Sequence, residues 1–423
     1  MKHANENLDV ISFGCRLNAY EAEVMRKHAL DAGLKDAIFF NTCAVTQESI
    51  RQAKQAIRRA RRKKPSSKII VSGCAAQIDP ATFAAMPEVD HVLGNQEKVI
   101  TATYEALASD ELERVKVNDI MSVNETAGHL IDGLKDRVRA FVQIQNGCDN
   151  RCAFCILPYG RGPSRGVTAG EVVAQVQHLV EHGCPEVVLT GVDLTAYGRD
   201  LPGRLRLGGL IAKILDRVPD LRRLRLSSLD AIEIDDQLFE RIGGDRRVMP
   251  HLHLSLQSGN DLTLKRMKRR HSRSDAITLC SRLRSIRPEI VFGADLIAGF
   301  PTETDTMFED TLRLIDDCGL TWLHVFPFSA RPGTPAAKMP QVSGETIRRR
   351  AAQLRAAGSE ALSRHFRQLV GRDVDVLMEN SRFGRLADYS PVRLSEDADL
   401  RPGATAKVRV TGQDNNVLVG GLT

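Results

Sequence analysis

Long apolar runs are absent from this 423-residue chain. No stretch approaches the roughly 18 apolar residues that a membrane-spanning helix requires, so no membrane partner is expected. The opening residues Met1-Lys2-His3-Ala4-Asn5-Glu6-Asn7 lack the apolar core of a secretion signal, and cytoplasmic residence is the expectation. Solenoid-type repeats and low-complexity tracts are also missing. Neither sign of charge dominates: the formal net charge is +6, which suits a polyanionic partner without requiring one. Apolar residues make up 42% and charged residues 26%, an ordinary globular balance. The length exceeds one ordinary core, so two or three domains are expected. There are nine cysteines. In a reducing compartment they read as metal ligands, catalytic thiols or buried apolar residues sooner than as disulfides.

The first segment repeats an apolar strand, a cysteine and then a helix. Leu8 to Gly14 leads to Cys15, Ala37 to Thr42 leads to Cys43, and Lys68 to Gly73 leads to Cys74. Such alternation builds a parallel sheet, whose ligands lie beyond the carboxyl ends of the strands. Three cysteines placed there gather on one edge although they are distant in sequence. The competing reading is three unrelated buried cysteines.

A polar stretch from Asp110 to Asp136 reads as a linker. Strands then resume at Ala140 to Gln145, Glu186 to Thr190, Leu224 to Ser227, His251 to Gln257, Val291 to Ile297 and Trp322 to Phe328. Helical stretches between them indicate an incomplete (β/α)6 barrel that opens at the strands' carboxyl ends. Ser343 to Val370 reads as a long basic helix. The last residues, with short strands at Val374 to Met378, Pro391 to Leu394 and Ala406 to Val410, suit a small antiparallel β-barrel. The expected class is α/β throughout the first two parts, with domains at 1–125, 136–368 and 369–423.

The sharpest local signal is Gly147-Cys148-Asp149-Asn150-Arg151-Cys152-Ala153-Phe154-Cys155. Cys148, Cys152 and Cys155 can hold three irons of one cubane. Iron–sulfur sites usually take four cysteines, and no fourth lies nearby, so one iron is left open for a ligand. Structural zinc wants a closed set of four ligands, which the flanking residues do not offer. Cys15, Cys43 and Cys74 would form a second trio of the same kind.

The C-x3-C-x2-C run, with an aromatic before its last cysteine, resembles the radical S-adenosylmethionine (SAM) superfamily. That resemblance implies SAM chelated to the open iron of a [4Fe-4S] cluster, and its reductive cleavage to a 5′-deoxyadenosyl radical. Gly14-Cys15-Arg16-Leu17-Asn18, Asn41-Thr42-Cys43-Ala44-Val45 and Gly73-Cys74-Ala75-Ala76-Gln77 resemble the three cysteine motifs of the methylthiotransferase family. Ile156-Leu157-Pro158-Tyr159-Gly160-Arg161-Gly162, Leu254-Ser255-Leu256-Gln257-Ser258-Gly259 and Asp295-Leu296-Ile297-Ala298-Gly299-Phe300-Pro301 fit the same family. The C-terminal part resembles its RNA-gripping TRAM barrel.

The family resemblance implies two [4Fe-4S] clusters, tRNA as substrate, an electron donor such as a flavodoxin or ferredoxin, and a sulfur source. It also implies that a sulfur species on the N-terminal cluster is methylated by one SAM. A second SAM then supplies the radical that activates C2 of an adenine. Val188-Leu189-Thr190-Gly191-Val192-Asp193-Leu194 resembles the branch acting on N6-threonylcarbamoyladenosine. The isopentenyladenosine and ribosomal-protein branches carry different elements there, and the second also differs at Leu256-Gln257-Ser258.

Thr190, Gly191, Ser227, Gln257 and Asp295 lie at or near strand ends, where SAM or the base could be contacted. Each reads equally as an ordinary strand-end residue. Phe154 either packs beside the adenine of SAM or simply fills space. The basic runs Arg51 to Lys64 and Lys265 to His271 are expected to meet phosphates without reading sequence. Cys184, Cys280 and Cys318 have no ligand-like neighbours in the sequence and read as buried and inert.

Overall fold

The computed structural model describes residues 7–123 and 138–423. The first unit is a five-stranded sheet in sequence order: Asn7–Ser12, Asp36–Thr42, Lys68–Gly73, His91–Leu93 and Val115–Lys116. All neighbours are parallel. Helices Arg16–Asp31 and Gln47–Lys63 return the chain between the first three strands. Both faces of the sheet are therefore covered, which is why Asp36–Thr42 is buried at every residue but its first and Ala37 to Phe40 are apolar without alternation. The helix Gln47–Lys63 starts where the Thr46 side chain accepts the Ser49 N–H, satisfying one orphan donor of its first turn.

The polar stretch read as linker is shorter than expected. Its first part supplies the fifth strand, Val115–Lys116, and a single turn at Ile120–Ser122. The rest of it, with the boundaries at 125 and 136, falls outside the described residues.

Six parallel strands form the second unit. Arg139–Gln143, Glu186–Thr190 and Arg223–Leu226 make one sheet; His251–Gln257, Val291–Ala298 and Leu320–Pro327 make the other. Isolated bridges Leu224 to Val248 and Leu229 to Leu254 join the two. No pairing closes the first strand onto the last among the described residues, so this is the expected partial barrel. Its helices carry strong start signals, with capping boxes at Thr168/Glu171 and Ser272/Asp275. Leu189, Leu224, Leu254, Phe292 and Leu296 belong to the main apolar core beneath them.

Helix Gly344–Leu369 leaves the barrel. Its end, through Leu362 and Phe366, plugs into the core of a closed five-stranded barrel with Val376, Met378, Val392, Val408 and Leu418. Two strands not foreseen, Phe383–Arg385 and Val417–Leu422, complete this barrel. Its ladders are antiparallel except for Pro391–Leu394 against Val417–Leu422, which is parallel. No described helix is long and apolar enough to cross a membrane.

Candidate active site

Cys15, Cys43 and Cys74 follow the carboxyl ends of the first three parallel strands. Cys148, Cys152 and Cys155 follow the first barrel strand. All six line one cavity of about 660 Å³, a size suited to a nucleoside-containing ligand. Phe154, Thr190, Gly191, Ser227, Gln257 and Asp295 line the same cavity, so every sequence-predicted site residue converges there.

The bends that aim the cysteines need glycine. Gly14 has φ +96°, and a Cβ on it would lie 2.7 Å from Cys43 Sγ. Gly147 has φ +72°, and a Cβ there would strike the Pro163 carbonyl oxygen at 1.8 Å. Side-chain-bearing residues would be strained in both places and would collide.

Burial pushes the Cys43 thiol up to about 11, with Cys74 adding to the effect. It carries Cys155 to about 12. Burial first, and then Asp193, hold Cys148 far above an ordinary thiol. Cys15 is open to the cavity yet enclosed by protein, and burial raises it as well. Cys74 still acts on Cys155, so the two trios are neighbours. Crowded, desolvated thiols of this kind are relieved when metal displaces their protons. The donor set thus fits iron–sulfur clusters. Ser227 Oγ, Arg269 Nε and Arg331 Nε also line this cavity and have no partner among the described residues. They offer hydrogen bonds to a ligand.

A charged shell missed from the sequence surrounds the thiols. Arg161, 1% exposed, donates from Nε to Cys74 Sγ at 3.0 Å and places both terminal nitrogens on Glu21. Lys98, fully buried, reaches Glu21 at 2.6 Å, Asn95 at 2.6 Å and Asn41 at 3.1 Å. Burial alone would raise the Glu21 carboxyl, but Arg161 and Lys98 outweigh it and hold it at about 2. Arg331 comes from beyond the last barrel strand to the Ala44 carbonyl at 2.5 Å, beside Cys43. At the Cys148/Cys152/Cys155 trio, Arg269 Nη1 lies 3.7 Å from Cys152 Sγ, and Asp193 Oδ2 lies 3.8 Å from Cys148 Sγ. Arg161 stands in a motif already singled out, but nothing in a sequence shows that a guanidinium turns inward.

Strand ends are also fixed by buried polar groups. The Gln145 side-chain oxygen Oε1 accepts from Val192 N and Asp193 N, both at 2.9 Å, pinning the turn after Thr190. Gln257 has φ +67° beside a register shift in its strand, a strained geometry typical of ligand-facing positions. Asp295 is shared by His253 and His324. Phe154 packs at the edge of the Ala153, Met267 and Phe300 cluster.

Two expectations change. The run Lys265 to His271 is partly internal: Arg269 binds Asp230, Arg270 binds Glu233, and His271 is buried beside Asp230. Arg269 and His271 are thus spent inside the protein, whereas Arg270 is paired but exposed and Lys265 and Lys268 stay exposed. On helix Gln47–Lys63, Arg61 is likewise tied to Asp90, whereas Arg58, Arg59, Arg62 and Lys63 stay exposed. Cys280 and Cys318 do have a neighbour, each other. Their mutual hydrogen bond, with burial, pushes Cys280 far up. Cys184 is half-buried and bonded to the Glu186 carbonyl.

Residues 142–315 match the radical SAM superfamily, and residues 7–94 match a family described as "Uncharacterized protein family UPF0004". The chain is 50% identical over 408 residues to the threonylcarbamoyladenosine tRNA methylthiotransferase MtaB of Rickettsia prowazekii, covering 96% of each. The Bacillus subtilis protein of the same name is 34% identical, over 84% of this chain and 80% of that one. A tRNA-2-methylthio-N(6)-dimethylallyladenosine synthase of Cereibacter sphaeroides is 34% identical over 98% of each. In fold, the chain is similar to the radical SAM methyltransferase TsrM of Kitasatospora setae, at TM-score 0.58 and 15% identity, covering 78% of this chain and 75% of that one. With an N-terminal sheet, a radical SAM barrel and a full-length relative at this identity, the chain belongs to the radical SAM methylthiotransferase family.

Proposed function

We propose that this protein converts N6-threonylcarbamoyladenosine at position 37 of tRNA, next to the anticodon, into its 2-methylthio derivative. The observation that carries the reading is the opening of two cysteine trios onto one cavity. A full-length relative that carries this activity in its name supports the choice of base.

In this reading Cys148, Cys152 and Cys155 would hold one [4Fe-4S] cluster, beside which SAM would bind. Cys15, Cys43 and Cys74 hold a second. When bound, these groups supply a carbon-centred radical and a methylated sulfur for C2 of the adenine. The protein's share is placement. Glu21, Lys98 and Arg161 form a rigid, fully paired frame behind the Cys15/Cys43/Cys74 trio. Gln145 holds the turn after Thr190, and Ser227 offers an unpaired hydroxyl to a ligand. Shared enclosure keeps water from a reactive intermediate before sulfur reaches it.

We assign 1–125 to the N-terminal cluster domain, 136–368 to the radical SAM barrel and 369–423 to a TRAM domain that grips RNA. Exposed Arg58, Arg59 and Arg62 offer further phosphate contacts. Electrons come from a donor such as a flavodoxin or ferredoxin, sulfur comes from a sulfur source, and the site of action is the cytoplasm. Mass spectrometry of tRNA nucleosides from cells lacking the protein tests the proposal. Loss of 2-methylthio-threonylcarbamoyladenosine, with the isopentenyl counterpart untouched, is the expected result; its persistence would refute the function.

A further inference from the structure

We propose that His324, braced by Asp295 and His253, reads the carboxylate on the N6 substituent of the adenosine and thereby sets the enzyme's choice of base. The inference rests on the function proposed above and names the device that recognises its substrate.

The three side chains come from adjacent strands, His251–Gln257, Val291–Ala298 and Leu320–Pro327. Each stands three or four residues before the end of its strand, and all three line the cavity. They therefore lie deeper in the barrel than the cysteine-bearing loops. Asp295 Oδ1 meets His253 Nε2 at 2.9 Å and His324 Nδ1 at 3.2 Å. A carboxylate oxygen only accepts, so both of those ring nitrogens carry hydrogen. The two rings pack with centroids 4.4 Å apart.

The two histidines differ in what they leave free. His253 is buried, and its Nδ1 lies over Gly293, where a Cβ would come within 2.7 Å. It is closed to any ligand. The His324 side chain is 63% exposed, and its Nε2 is the ring atom available to a guest. The ligand atoms of the trio lie within 4.8 Å of one another, a spacing that a cation could use. Both ring N–H groups already end on Asp295, however, so the trio is complete as a hydrogen-bonded unit and a cation would have to displace two protons.

The chemistry of the guest follows from the other charges around the cavity. Arg161 is committed to Glu21, Arg269 to Asp230, and Arg331 to the Ala44 carbonyl beside Cys43. Arg16 and Arg331 also line the cavity, next to Cys15 and Cys43; from the barrel strands, the basic ring open to it is His324. An apolar N6 substituent would strip water from its ring nitrogen and give nothing back. A carboxylate can take a charge-assisted hydrogen bond from that ring, which Asp295 braces from the far side. Burial would raise the Asp295 carboxyl, but the two imidazoles hold it well below the usual range. It thus remains an anion able to do this. A site built around such a bond rejects the analogue that lacks it.

The test uses the reconstituted full chain and two anticodon stem-loop RNAs. One carries N6-threonylcarbamoyladenosine; the other carries its methyl ester, of similar shape without the charge. The unmodified enzyme should methylthiolate the acid with a kcat/KM about 10- to 100-fold above that of the ester. In His324→Phe that ratio should collapse toward 1, with the loss on the acid falling mainly in KM. His324→Gln keeps a donor in the same place and should retain part of the preference. Iron content and thermal midpoint report whether each variant is folded. Equal kcat/KM for acid and ester in the unmodified enzyme would overturn this inference alone, as would an undiminished preference in a folded His324→Phe. No product from either RNA would overturn the proposed function and this inference with it.

Discussion

Arg161 Nε donates to Cys74 Sγ across 3.0 Å from 87 residues further along the chain. The same guanidinium neutralises Glu21, so one side chain of the barrel domain completes the inner wall of the N-terminal trio. Arg161→Met would strand a buried carboxylate beside a single ammonium. The expected cost is about 3 to 5 kcal/mol in chemical denaturation. Reconstituted protein should also lose about four irons per chain, the content of one cubane, as Cys74 loses its donor. Arg161→Lys should fare better than Met but worse than arginine, because an ammonium cannot span Glu21 and the thiol together.

Glu21 makes the same network visible to acid. Its carboxyl is held at about 2, below an ordinary glutamate at 4.5. A depressed folded value means the stabilisation is fully present above about 4.5 and fades as pH falls toward 2. Urea midpoints measured from pH 6 down to 2.5 should fall faster for the natural chain than for Glu21→Gln below pH 4.5. Parallel curves would show that Glu21 contributes nothing to acid sensitivity.

The sequence makes the six thiols legible for two different reasons. Cys148, Cys152 and Cys155 are local, and spacing alone carries them. Cys15, Cys43 and Cys74 are distant, but parallel sheets gather strand ends on one edge, so topology carries them. Short pieces are not legible. His91–Leu93 and Val115–Lys116 hold too few residues to show a period, and Phe383–Arg385 has a glycine at its centre. Charge is the least legible of all. Arg269, Arg270 and His271 look like a phosphate-binding run but answer to Asp230 and Glu233, which stand on the far side of an intervening strand. His253 and His324, 71 residues apart in number, meet only because adjacent strands bring them to one carboxylate.

Removing single cysteines should separate the two trios. Cys152→Ala is expected to abolish reductive SAM cleavage, read as 5′-deoxyadenosine by chromatography, while the Cys15/Cys43/Cys74 site keeps its iron. Cys43→Ala should still cleave SAM but give no methylthiolated nucleoside. Product from the Cys43 variant would remove that trio from sulfur delivery, and SAM cleavage at the natural rate by the Cys152 variant would defeat the assignment of the other.

Tyr389 fastens the C-terminal barrel to the rest of the chain. Its ring has Arg385 at 4.5 Å, Arg225 at 5.0 Å, Arg139 at 5.1 Å and Arg16 at 5.7 Å. His251 stacks on it at 5.7 Å. Arg225 also donates to the Leu386 and Ala387 carbonyls of the same turn. The residue adopts φ +76°, a left-handed backbone that a tyrosine takes only when its surroundings repay the strain. Tyr389→Ala loses the ring and keeps the strain; Tyr389→Gly loses the ring and relieves it. Both should fall below the natural chain in denaturant by about 2 kcal/mol or more, the scale of several desolvated cation–π contacts. The glycine variant should nevertheless be the more stable of the two by about 1 kcal/mol. Limited proteolysis should then cut both variants near Gly371, between the long helix and the closed barrel, faster than the natural chain. Because Arg16 directly follows Cys15, iron retention at the N-terminal trio should weaken in parallel. Loss of stability without any change in iron retention would mean that the tyrosine anchors the barrel but not the helix that begins at the first cysteine.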